Sequence, residues 1–174
     1  ILNSEDFFAS RTSVSTIVDS FSGNEDVEIV FGDIVYVSSD EDHKIKRFYS
    51  SNRFRPWKLR FGFMPPHPAT YVRREVYNLY GLYSTSFQIA ADYEIFVRWL
   101  AVNRIKFQRV DRILVCMRMG GVSTSGLRSS LLLNREIIQA CRDNGLYTNW
   151  LFIIPKIPFK FAELLRRPRP QALP

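Results

Sequence analysis

The chain is short of the residues that most directly signal a chemistry. Two cysteines among 174 residues, Cys116 and Cys141, are too few and too far apart for a thiolate metal cluster or a disulfide framework. They suggest a reducing compartment. Histidine is equally scarce, and His43 sits in a charged turn with nothing around it to suggest a role. No run of about 18 uncharged apolar residues is present, so no spanning helix is expected. Internal repeats are absent. The chain begins Ile1-Leu2-Asn3, with no Met and no signal-peptide pattern, on what reads as the end of a buried strand. The expectation is a domain truncated at its N-terminus, with an exposed apolar strand edge near Ile1-Leu2. Another copy of the chain would cover that edge, giving a homo-oligomer.

Hydrophobic residues make up 46% of the sequence and aromatics 14%, enough for a globular domain with a real core. With 24 basic and 17 acidic side chains the net charge is +7. Such a chain attracts phosphate, whether on nucleotides, nucleic acid or anionic lipid.

The hydrophobic pattern alternates between helical and extended spacing. Val14, Ile17, Val18 and Phe21 predict a helix that Gly23-Asn24 stops. Short strands are predicted at 27–31 and 34–37 around Gly32-Asp33, with a return strand at 45–49 after an acidic turn. The basic, aromatic stretch 53–63 reads as a loop or short helix. Pro65-Pro66-His67-Pro68 is a rigid elbow, followed by a strand at 70–73 and a short helix at 75–80 that Gly81 closes. After a loop at 84–91, a helix starts at Asp92 with Tyr93, Phe96, Val97, Leu100 and Ala101 on one face. A long strand follows at 106–119, then Gly120-Gly121 as a hinge and a helix at 128–142. The tail from Trp150 is apolar, aromatic and basic, interrupted by prolines. The expected division is therefore 1–149 as the domain and 150–174 as the tail. The tail suits the headgroup region of an anionic membrane, or alternatively packs on the domain.

Several residues are candidates for chemistry. Asp92, as the N-cap of its helix, would accept backbone N–H bonds and face the positive end of the helix dipole. Both effects favour a carboxylate able to accept a proton. A capping aspartate with no further role has the same signature. Glu5 and Asp6 follow an apolar strand end, where adjacent carboxylates can supply hard oxygens to a divalent cation; a solvated turn looks the same. The prolines around His67 fix its ring, which suits a hydrogen bond to a substrate hydroxyl. Arg118 stands where a strand meets the glycine hinge and could clamp a diphosphate. Arg73-Arg74 and the basic residues at 53–60 read as a solvated face.

Taken in order, Leu2-Asn3-Ser4-Glu5-Asp6, Gly32-Asp33-Ile34, Pro66-His67-Pro68-Ala69-Thr70, Ala91-Asp92-Tyr93-Glu94 and Gly120-Gly121-Val122-Ser123 form a pattern. It resembles bacterial family-2 glycosyltransferases of surface polysaccharide biosynthesis, over residues 1–145. The resemblance implies an α/β fold, the C-terminal, acceptor-side part of a GT-A nucleotide-diphospho-sugar transferase, with a mixed sheet flanked by helices. It implies inverting transfer of a sugar from a UDP- or GDP-sugar to a hydroxyl of a saccharide or lipid-linked saccharide, in the cytoplasm or at the inner face of the plasma membrane. On that pattern Asp92 is the general base, His67 and Thr70 lie on the acceptor side, and Arg118 approaches the diphosphate. Asn3-Ser4-Glu5 falls on the metal-binding motif with Asp6 following, so Glu5 and Asp6 are the implied ligands for Mn²⁺ or Mg²⁺. Asn3 and Glu5 depart from that motif's usual aspartates, and the Q-x-x-R-W motif of processive synthases is absent; Arg98-Trp99 is a partial echo on another helix. The family's nucleotide-binding strand–helix repeats are not in this sequence, so the chain alone is expected to be incomplete as an enzyme. Nucleic acid is not expected as a partner. The alternatives are a non-catalytic basic domain that binds anionic membrane or nucleic acid, and an inactive transferase remnant.

Overall fold

A computed structural model describes residues 6–38, 44–118 and 127–155. The fold is mixed α/β, a mixed sheet flanked by helices. Its central strand is β2 (Ile29–Val37), buried along almost its whole length. One edge of β2 pairs in parallel with β5 (Phe107–Arg118). The other edge is shared by two antiparallel strands. β4 (Thr70–Val72) takes Ile29–Phe31, and β3 (Ile45–Tyr49) takes Ile34–Val37. β1 (Phe7–Phe8) extends the sheet beyond β5, with Phe7 opposite Cys116.

Two strands, 27–31 and 34–37, were expected around Gly32-Asp33; the chain runs through as one. The turn residues instead form an irregularity, where the register with β5 shifts on either side of Asp33. Glycine is required there. A Cβ on Gly32 would lie 2.6 Å from Leu114 Cγ and 2.8 Å from the Arg112 carbonyl oxygen. Asp33 is buried and satisfied: its carboxylate accepts from the Ser51 backbone N–H and hydroxyl, both at 2.7 Å, and pairs with Arg109 at 3.1 Å. The polar pair that looked like a turn is thus held inside the sheet by partners distant in sequence.

Alternation along β2 divides the core. Ile29 and Phe31 face the larger cluster, with α2 (Arg74–Tyr80), α3 (Ala91–Phe96) and α4 (Leu127–Asp143). Val30 and Ile34 face α1 (Ser13–Ser22) and pack with Ile17, Leu114 and Val115. Trp99, Phe96 and Leu100 are almost wholly buried. Burying side chains of this size contributes about 1.5–3 kcal/mol each, so this helix anchors the layer. After α3 the helix widens into a π-helical segment, Val97–Val102. The expected solvated Arg73 is in fact structural: it donates to the carbonyls of Val27 (2.8 Å) and Phe21 (3.0 Å) and lies over the Phe21 ring, while Arg74 is exposed.

Of the tail, a short helix α5 (Trp150–Ile153) is described, capped by Asn149 Oδ1. No helix among the described residues is long and apolar enough to cross a membrane. The expected strand edge at Ile1-Leu2, the Gly120-Gly121 hinge and the tail after Pro155 lie outside the described residues.

Candidate active site

Three segments meet at His67. The elbow ends in a 3₁₀ turn, His67–Ala69, and β4 starts at once. Thr70 pairs with Phe31, so the elbow lies beside the middle of β2, just before the stretch that β3 takes. Two bonds secure it. Tyr49 Oη donates to the Met64 carbonyl at 2.7 Å, and Thr70 Oγ1 donates to the Pro66 carbonyl at 2.8 Å. Thr70 is buried, so its hydroxyl fixes the turn that carries His67.

His67 Nε2 is hydrogen-bonded to Tyr83 Oη at 2.7 Å. Its ring meets Tyr83 and Phe96 edge-on, with centroids 5.8 and 6.1 Å apart. Burial among these rings lowers the imidazole pKa below its ordinary 6.5, and the Asp92 carboxylate nearby pulls the other way. Burial wins, so His67 is neutral at pH 7. Tyr83 is shifted upward, first by burial, then by its hydrogen bond with Tyr77, and also by the charge of Asp92. The phenol therefore stays protonated at any working pH. One carboxylate thus acts electrostatically on both partners of the His67–Tyr83 bond.

Asp92 does not cap its helix as the sequence suggested. Ala90 is the N-cap and Asp92 lies one residue inside the first turn, its Oδ1 accepting the Tyr93 N–H at 2.8 Å. The dipole argument survives, because the first turn still feels the helix's positive end. The segment leading into the helix is held by a residue that sequence reasoning passed over. Glu136, from α4, is 6% exposed, and its carboxylate accepts the N–H groups of Gln88, Ile89 and Ala90, each at 2.9 Å. Burial would raise the pKa of Glu136, but the three backbone bonds outweigh it and hold the group below its usual range. A signal for it existed. Glu136 falls on the helical stripe of Leu133, Ile137 and Ala140, and a carboxylate on an apolar stripe needs buried donors.

Glu94 does the equivalent work one turn on. It grips Arg98 with two bonds, at 3.0 and 2.9 Å, and accepts from Asn144 at 3.1 Å. Arg98 in turn donates to the carbonyls of Tyr80 and Leu82, which fixes the chain leading to Tyr83. Gly81 passes close under the guanidinium with φ +83. Arg98, expected as a structural echo of another motif, is structural here.

Asp6 and Arg118 lie away from His67, at the carboxyl end of β2 and β5. The pairing of Phe7 with Cys116 sets Asp6 beside the end of β5, where Arg118 is exposed and lies 5.8 Å over the Phe7 ring. Asp6 is partly buried, and Glu5 lies outside the described residues. Among the described residues no three His, Cys, Asp or Glu side chains are gathered as a metal site. Comparison with models of known protein families and with curated proteins returned no match.

Proposed function

We propose that this chain is the acceptor-side part of a GT-A, family-2-type glycosyltransferase domain and that Asp92 is its general base. The observation that supports it is the meeting of Asp92, His67 and Tyr83, brought together from a helix, an elbow and a loop. In this reading, the acceptor hydroxyl of a saccharide, free or lipid-linked, lies against Asp92. Its oxygen attacks the anomeric carbon of a UDP- or GDP-sugar from the face opposite the diphosphate. The hydroxyl proton passes to Asp92, the bond from the anomeric carbon to the diphosphate oxygen breaks, and the sugar is transferred with inversion. His67, neutral and fixed by Tyr83, is suited to hydrogen-bond the acceptor without competing for the proton. On the family resemblance Arg118, at the end of β5, would neutralise the leaving diphosphate. Asp6 carries oxygen donors of the kind Mn²⁺ and Mg²⁺ take, and with Glu5 it would hold a cation that offsets the diphosphate charge.

The test uses the full-length protein that contains this chain, a panel of UDP- and GDP-sugars and saccharide acceptors, and the Asp92→Asn variant. The expected result is transfer from one donor, reduced about 10²–10⁴-fold by Asp92→Asn with the melting temperature little changed. Turnover unaffected by Asp92→Asn would remove Asp92 from the mechanism. No transfer or donor hydrolysis with any nucleotide sugar would leave a binding domain as the better reading.

A further inference from the structure

A second face of the molecule, built from the stretch 53–60 and the segment around α5, combines exposed rings with uncompensated positive charge. The 3₁₀ segment Pro56–Phe61 presents Trp57, which is 57% exposed. Its ring meets Phe61 edge-on at 5.7 Å, Phe61 meets Phe152 at 5.0 Å, and Phe152 meets Tyr147 at 5.8 Å. This run of rings joins the 3₁₀ segment to α5 in one surface. Thr148 Oγ1, which donates to the Arg60 carbonyl, pins the two segments together. On the outer side of α5, Leu151 is 77% exposed and Trp150 43%. These side chains are too large and too close together to be incidental.

The charge around them has one sign. From Lys44 to Arg74 the sequence carries nine Lys and Arg and no Asp or Glu. Arg53 and Arg55 are exposed. The Lys58 ammonium lies 5.6 Å over the Trp57 ring and donates to the Arg53 carbonyl. Its pKa is lowered, first by burial and then by Arg55 and Arg53, which places three cations in one electrostatic neighbourhood. Among the described residues none of the three has a carboxylate within ion-pair distance. In the sequence after Pro155, Phe159 and Phe161 stand among Lys156, Lys160, Arg166, Arg167 and Arg169.

We propose that this face, Trp57, Trp150 and Leu151 flanked by Arg53, Arg55 and Lys58, docks on the surface of an anionic lipid bilayer. Indole rings prefer the interfacial region, where an apolar body and a polar N–H are both accommodated. Cations beside them gain from a negatively charged headgroup layer. A protein partner of matching acidity or a second copy of the chain would use the same apolar area. Like-charged faces repel, however, so the charge argues against the second copy. The proposal does not rest on the catalytic role of Asp92.

The experiment is co-sedimentation of the 174-residue chain with phosphatidylcholine vesicles, with and without roughly one-third phosphatidylglycerol. Binding is expected to the mixed vesicles and not to the neutral ones. Trp57→Ser/Leu151→Ser and Arg53→Glu/Arg55→Glu should each lower the partition coefficient about tenfold or more. All four side chains are exposed, so circular dichroism and melting temperature should match wild type. Brominated lipids should quench tryptophan emission, and Trp57→Phe should remove part of that quenching while the buried Trp99 stays unquenched. Equal partitioning of wild type and both double variants would overturn the proposal, as would absence of binding to the mixed vesicles. So would a concentration-dependent dimer that Trp57→Ser/Leu151→Ser dissociates, in a chain that ignores vesicles.

Discussion

Around Asp92 the charges are buried and matched inside the chain, whereas around Trp57 they lie at the surface with no carboxylate partner among the described residues. Glu136 is held by three backbone N–H groups, and Glu94 by Arg98 and Asn144. Deeper in the sheet, Asp33 is held by Ser51 and Arg109. Each of these carboxylates joins segments far apart in sequence, and together they fix the loops that present His67, Tyr83 and Asp92. On the second face, Arg55 donates to the Asn52 and Phe54 carbonyls, and Lys58 donates to the Arg53 carbonyl and lies over the Trp57 ring. Buried charge needs geometrically complete partners, because an uncompensated one costs several kcal/mol. Exposed charge needs none and is left available for an outside partner. The first region is therefore a rigid frame and the second a surface.

The largest stability effect comes from cutting the frame. Glu136→Ala leaves three N–H groups without their acceptor and should cost about 3 kcal/mol in urea unfolding. A loss below about 1 kcal/mol would mean that water replaces the carboxylate and that the frame is looser than described. The sign of its pH dependence follows from the depressed pKa. The contribution of Glu136 is present above its ordinary 4.5 and is lost as pH falls through its lower folded value. Wild type and Glu136→Gln should accordingly converge in stability at the acid end.

Asp33→Asn comes next. It keeps an oxygen for Ser51 but removes the charge facing Arg109, which retains Asp111 at 2.7 Å. The expected loss is about 1–2 kcal/mol. His67 gives a smaller effect. Its folded pKa lies below 6.5, so the unfolded chain protonates first on acidification, and stability present above 6.5 declines as pH falls toward the folded value. Comparing pH 7 and pH 5, wild type should lose more stability than His67→Gln, by less than about 1 kcal/mol. A reversed order would mean that the Asp92 charge, not burial, dominates at the imidazole. Smallest of all, Arg55→Glu should change unfolding free energy by no more than about 0.5 kcal/mol. A large loss there would erase the distinction between frame and surface.

Much of the layout was legible from local pattern. The helices at 14–21 and 128–142, the strand at 106–119, the elbow at 65–68 and the closure at Gly81 all fall close to their observed places. Apolar spacing and turn residues act over a few positions, and the sequence displays those directly. Gly32-Asp33 misled for the same reason. It has the composition of a turn, yet the Leu114 side chain demands the glycine and Ser51 and Arg109 satisfy the acid. Asp92 was marked as the N-cap, but Ala90 holds that position and its N–H is bound by Glu136, 46 positions later. Nothing local could show that pairing, although an acid on an apolar stripe posed the question.

The sequence by itself determined the alternation of helix and strand, the excess of positive charge, the apolar tail and the candidate residues Asp92, His67, Thr70, Arg118, Glu5 and Asp6. Each is a property of residue type and spacing within a turn or two. Only the tertiary structure decided which buried acids became a frame, that Thr70 secures the turn under His67, and that Tyr83 and Asp92 act on the same imidazole. It also decided that Trp57 and α5 share one face. Those are relations between groups tens of positions apart. They come into being when the sheet forms and the apolar faces of α2, α3 and α4 close on it, because only then does burial force each polar atom to find its partner.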